Sequence, residues 1–213
     1  MLSRIRATAA GRSGTNHGNV VVQRLRARAL SPRPRVDGDL VARFCSHAQR
    51  LSTTVAEVVQ MQDVPRAVAA YLRAYHLPMR AVCWKALRML DWAAHGVLVE
   101  ERAATAADAV GITGVFCAIA ETGTLMTLSG AHTSPATSLL PETHIAVLRV
   151  AQIVSAMEEA WQRLRQSANS DSFMPRAVNF ISGPSRTADI EQTVTLGAHG
   201  PYRVHIVLVS APE

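Results

Sequence analysis

Apolar positions after Asp39 recur with the period of a helix. Leu40, Val41, Phe44, Ala48 and Leu51 fall on one face of a 3.6-residue repeat. Thr54 to Val59, TVAEVV, is rich in β-branched residues and reads as a short strand. Asp63 is placed as the N-cap of a second amphipathic helix, with Pro65 in its first turn. Val64, Ala67, Val68, Tyr71, Leu72 and Tyr75 make the stripe that this helix should bury. Pro78 stops it, and Arg80 to Trp84 is the next strand. Lys85 to Trp92 reads as a short helical piece, followed by Gly96 and a strand from Val97 to Glu100. The order α-β-α-β-α-β calls for a parallel or mixed sheet covered by helices.

Further along, Ala104 to Val110 reads as a short helix. Phe116 to Ala120 and Leu125 to Leu128 are either two strands about a turn at Thr122-Gly123 or one long bulged strand; the pattern leaves both open. Gly130 to Leu140 is a loop of small residues. Ile145 to Val150 is a nearly continuous apolar run, as a strand buried on both faces should be. Ala151 to Gln166 carries the clearest helical pattern, with Ile153, Val154, Met157, Trp161 and Leu164 on one face. After a polar linker from Ser167 to Phe173, strands at Ala177 to Ser182 and Tyr202 to Val209 close the sheet. No internal repeat is visible. The expected fold is a single α/β domain with a central, mostly parallel sheet flanked by helices.

Charge divides the chain. Residues 1 to 36 hold eight of the 22 basic residues and no acid; the remaining 14 face 16 acidic residues, a balance of −2. The basic surplus therefore belongs to an Arg-rich leader (1–36), expected to be poorly ordered, ahead of a nearly neutral domain (37–213). SPRPRVDG, from Ser31 to Gly38, marks the boundary. A nucleic-acid-binding reading needs a basic face on the folded part, and that surplus is missing. One lysine, Lys85, stands against 21 arginines, a bias expected of a GC-rich genome rather than of an organelle transit peptide. No apolar run approaches the roughly 18 residues that would span a bilayer. The three cysteines, Cys45, Cys83 and Cys117, have no paired spacing, so neither a zinc nor an iron–sulfur site is expected. Free thiols fit a reducing cytoplasm.

Two stretches carry the candidate chemistry: Gly111 to Pro141, with Glu121 in A-E-T-G-T, and Ile181 to Gln192, ISGPSRTADIEQ. Both set Gly, Ser and Thr directly after an apolar run, the composition of a backbone turn that a ligand can approach closely. They are expected to meet in space.

AETGTLMTLSG, SLLPETHIAVL and ISGPSRTADIEQTVTLGAHGP, in that order, resemble the lactate utilization protein C family, whose domain is called the LUD domain. The resemblance covers roughly residues 39 to 210. It implies a fold of the NagB/RpiA/CoA-transferase-like kind and a role in growth on L-lactate. It also implies two iron–sulfur partner proteins, with which members are taken to oxidise L-lactate to pyruvate. The clusters are expected in the partners, with no cofactor and no metal held by this chain. The leader departs from the short family N-terminus and inherits nothing.

Within this frame Glu121 and His144 are the candidate catalytic groups: a carboxylate on a turn beside amide donors, and an imidazole able to move the proton that leaves a 2-hydroxy acid. Thr122, Gly123 and Thr124 form the turn around Glu121. Gly183, Ser185, Arg186 and Thr187 are read as an anion seat, a strand leading through Gly-Pro-Ser-Arg-Thr into a helix-like run whose first amides are free. Arg186 adds a fork suited to a carboxylate such as L-lactate or pyruvate. The structural alternatives are an Arg186 pair with Glu121 or Asp189, and a hydrogen-bonded structural His144. Tyr71, Trp84 and Trp161 are read as core or partner-facing aromatics. The rival reading is a free-standing enzyme of the CoA-transferase-like fold, acting on a small acid, a CoA thioester or a sugar phosphate.

Overall fold

Asp39 starts the folded region as its side chain dictates. Its Oδ1 accepts from the N–H groups of Val41 (2.8 Å) and Ala42 (3.3 Å), which satisfies amides that helix α1 (Leu40–Arg50) cannot pair internally. The computed structural model describes residues 19–23, 38–167, 174–188 and 194–211. The chain divides into two units, 1–35 and 36–213. In the first, residues 19–23 are helical; the rest of the Arg-rich leader lies outside the described residues.

The second unit is built on a six-stranded sheet in which every pairing is parallel. The order is β1 (Thr54–Val58), β12 (Arg203–Val209), β7 (Thr143–Arg149), β4 (Val110–Gly114), β2 (Arg80–Cys83), β3 (Leu98–Glu101). β7 is the apolar run that pattern alone marks as buried on both faces. Ile145 and Val147 enter the core under helix α2 (Val64–Ala74), with Val68 and Leu72; Ala146 and Leu148 enter a second core with Phe44 and Ala48 of α1. Pro65 occupies the first turn of α2 as expected. Asp63 precedes it, but its carboxylate turns to Arg66 (3.2 Å) instead of capping the amides. Two four-residue helices adjoin the sheet's strands in sequence: α3 (Lys85–Arg88) after β2 adds Leu87 to the α2 core, and α4 (Ala136–Leu139) precedes β7.

Beyond the second core lies a four-stranded sheet, ordered β8 (Ile153–Val154), β5 (Cys117–Ile119), β6 (Thr124–Leu128), β9 (Val178–Ile181). Ala118 and Leu125 face inward, while Cys117, Ile119 and Met126 meet Ala160 and Leu164 of helix α5 (Met157–Ser167) on the outer side. β5 and β6 are thus an antiparallel hairpin, not one bulged strand.

Several elements differ from the pattern. Residues 104–109 form no helix, and Val110–Gly114 is a central strand. Its glycine disguises it: a Cβ on Gly111 would stand 1.9 Å from the Thr137 carbonyl oxygen of α4, so this strand tolerates no side chain there. The helix read from Ala151 starts only at Met157, because Ile153 and Val154 are strand β8, paired with Ala118 and Ile119. β9 joins the smaller sheet rather than the main one, and the run after Ser185 is strand β10 (Arg186–Ala188), paired with β11 (Val194–Leu196), rather than a helix start. Among the described residues no helix is long and apolar enough to cross a membrane.

Candidate functional site

The two glycine-bearing turns meet on the end of one helix. β6 pairs with β9 so that Leu125 faces Ile181, which brings Thr124 and Ser182 side by side, Oγ1 to Oγ 2.7 Å. Thr122 Oγ1 donates to Thr124 Oγ1 at 2.8 Å, so three hydroxyls run in a chain. Gly123 (φ +67°) and Gly183 (φ +85°) both adopt the left-handed conformation that glycine accepts without strain. A Cβ on Gly123 would lie 2.4 Å from the Ala48 nitrogen, and one on Gly183 would lie 2.3 Å from the Leu51 oxygen. The close approach that these glycines permit is therefore taken up by the C-terminal end of α1.

Arg186 continues the same theme. Its Nη2 donates to Ser52 Oγ and reaches the Leu51 carbonyl at 3.5 Å, beside a Ser52 held at φ +67°. It does not pair with Glu121, and Asp189 lies outside the described residues. Glu121 is half-buried, and its N–H donates to Ser155 O at 3.0 Å. Ser185 spends its backbone on the loop, donating to Pro201 O and accepting from Gly197 N, both at 2.9 Å. Thr187 sits in β10 opposite Thr195. His144 is fully buried on β7, with Nε2 2.8 Å from Thr113 Oγ1 and no partner at Nδ1 among the described residues. Burial pushes its pKa down to about 4, so the ring is neutral near pH 7.

Of the candidate residues, Arg186 stands on a cavity wall. The cavity holds about 470 Å³ at the amino ends of β1 and β12. Arg186, Arg203, Ser52 and Thr54 supply its polar lining; Tyr71, Tyr75 and Tyr202 supply aromatic walls. Behind it, His205 stacks on Tyr71 (centroids 3.9 Å, 14° between planes) and meets Thr54 Oγ1 at 2.8 Å through Nδ1. His205 is 4% exposed and burial holds its pKa down at about 4, so it adds no charge near pH 7. Sequence reasoning missed Thr54, Arg203 and Tyr202, since they open two strands some 150 residues apart, made neighbours only by the parallel register of Thr54 with His205.

A second cavity, of about 370 Å³, lies at the carboxyl ends of β2, β4 and β7, lined by Trp84, Gly114, Phe116, Val147, Arg149 and Gln152 among others. There the connection leaving β2 packs into the α2 core through Leu87, Trp92 and Val97, while the one leaving β4 crosses to the smaller sheet. Such a switch at the carboxyl ends of parallel strands is the usual ligand crevice of open α/β sheets. Gln152 is already committed, accepting from Arg149 N–H at 2.9 Å and donating to Val115 O. Trp84 Nε1 donates to Ser134 O at 3.1 Å, pinning the small-residue loop over these strand ends.

Among the described residues no group of three His, Cys, Asp or Glu is placed to hold a metal ion. Cys83 and Cys117 are buried and Cys45 is half-buried.

Against known proteins, a family profile described as LUD domain matches residues 39–209. Lactate utilization protein C of Bacillus subtilis is 36% identical over 135 residues, covering 59% of this chain and 56% of that protein. The protein of the same name from an Exiguobacterium species is 41% identical over 100 residues, 47% of this chain and 44% of its own length. This chain thus spans about half the length of the curated relatives it matches. The crystal structure of a DUF162 family protein from Deinococcus radiodurans superposes with a TM-score of 0.57 at 24% identity, covering 80% of this chain and 96% of that one. That likeness speaks to the fold.

Proposed function

The chain belongs to the LUD domain family, and from that premise we propose that it serves lactate utilization, as a subunit of an assembly that oxidises L-lactate to pyruvate. In this reading the electrons pass through iron–sulfur clusters carried by two partner proteins, this chain holds no redox centre of its own, and the assembly works in the cytoplasm. The observation that carries it is the run of relatives at 33–41% identity, named Lactate utilization protein C or, in one case, Lactate utilization protein C 1.

The geometry adds a reason for such an assembly to need this chain. Arg186 and Arg203 share one cavity wall, and no carboxylate lines that cavity among the described residues. Two guanidinium groups with no counter-charge among the described residues favour an anion in the cavity they line. Glu121 and His144 stand apart from this seat, and the proposal gives neither a step.

The test is growth. Cells lacking this chain should fail on L-lactate and grow on pyruvate, and a tagged copy should restore growth and bring down two iron–sulfur proteins. Undiminished growth without it, with no such proteins recovered from lactate-grown cells, refutes the role.

A further inference from the structure

We propose that the cavity between Arg186 and Arg203 is a binding site for a small molecule that joins an anionic group, carboxylate or phosphate, to a flat aromatic ring. The proposal rests on the anion seat of the preceding reading, but not on lactate being what fills it.

Size argues first. A cavity of about 470 Å³ falls in the range, roughly 300–1,000 Å³, that encloses drug-sized molecules, and a three-carbon acid would leave most of it to water. The walls argue next. Tyr71 is locked in place, stacked on His205 at 3.9 Å and met by Tyr75 at 4.5 Å. Tyr75 and Tyr202 are 45% and 44% exposed, with Tyr202 covered on one side by the Arg203 guanidinium, 4.8 Å from its centroid. Two half-exposed phenol rings at the mouth of a cavity offer a large, rigid apolar surface at little entropic cost to an entering ring.

Charge argues third. The hydrogen bonds of Arg186 to described residues both use Nη2, which leaves its Nη1 and Nε donors without a bond to any of them. The Arg203 guanidinium lies over the Tyr202 ring, and the hydroxyls of Ser52 and Thr54 share the wall. An anionic head on the arginines and a ring against the tyrosines would use every part of this lining.

The test is calorimetric titration of the full chain with four probes: phenylpyruvate (ring and carboxylate), flavin mononucleotide (ring and phosphate), L-lactate and inorganic phosphate. One of the two ring-bearing anions should bind at least about tenfold more tightly than both small anions. Which one does so identifies the head group. Arg203→Ala should weaken that binding about tenfold or more, and Arg203→Lys less. Tyr75→Ala combined with Tyr202→Ala, at rings 45% and 44% exposed, should weaken the ring-bearing probe far more than inorganic phosphate, with thermal unfolding confirming that the variant is folded. The proposal falls if neither ring-bearing anion binds more tightly than L-lactate, which would leave the seat a small-acid site. It falls as well if no probe saturates at millimolar concentration, or if the arginine and tyrosine variants bind like the parent. Growth on L-lactate is read separately, so either proposal can fail while the other stands.

Discussion

Thr124 Oγ1 and Ser182 Oγ lie 2.7 Å apart, joining two turns separated by 58 residues of chain. The contact is a part-buried hydroxyl pair, so its loss should register in stability. Thr124→Val and Ser182→Ala should each destabilise by about 1 kcal/mol, and the double variant by less than their sum, with a coupling of about 0.5–1.5 kcal/mol. Urea unfolding of the three variants measures this; strict additivity would mean the pair contributes nothing as a pair.

Gly183 should resist substitution far more than Gly38. Both have positive φ, +85° and +89°, but a Cβ meets Leu51 O at 2.3 Å in the first and nothing within 4 Å in the second. Gly38→Ala should cost about 1–2 kcal/mol, the left-handed backbone alone. Gly183→Ala adds a clash with backbone and should cost at least about 1 kcal/mol more. Thermal unfolding of the two variants side by side reads the difference.

His144 and His205 should make the fold weaker in acid. Each is held neutral by burial, with a pKa of about 4 against an ordinary value of 6.5. Between those values the unfolded chain binds protons that the native state refuses, so unfolding becomes easier as pH falls from about 6.5 toward 4. Each ring can contribute up to roughly 1.4 kcal/mol per pH unit there. Unfolding free energies at pH 7.5, 6 and 5 test the slope. His205→Gln should reduce it, since one of the two refusing sites is gone.

The thiols should be slow. Burial pushes Cys83 and Cys117 up to about 11, and raises Cys45 as well. Near neutral pH the reactive thiolate is therefore scarce and, for Cys83 and Cys117, out of reach. An aromatic disulfide reagent should modify at most Cys45 quickly in the native protein and all three after unfolding. Fast labelling of Cys117 in native protein would contradict its burial between the smaller sheet and α5.

What could be read from residues alone tracks how local the causes are. α1, α2 and β7 announce themselves, because an apolar repeat, a first-turn proline and a nearly unbroken apolar run act within a few positions. β4 does not, since the reason for its Gly111 is the Thr137 carbonyl, which only the fold brings near. Spacing assigns Ile153 and Val154 to a helix, yet pairing with β5 claims them for a strand. The site divides in the same way. Arg186 could be singled out from its turn, whereas its companion Arg203 opens a strand like any other until β12 is seated beside β1.

That seating has a consequence for how the molecule is made. Among the described residues β12 follows every other strand in chain order but is second in the sheet, wedged between β1 and β7. A ribosome that has delivered everything through residue 202 has produced two unfinished rims facing an empty slot. During translation those rims are open to strands of other nascent copies. A stop codon just ahead of Arg203 would sever β1 from the other four strands rather than trim an edge.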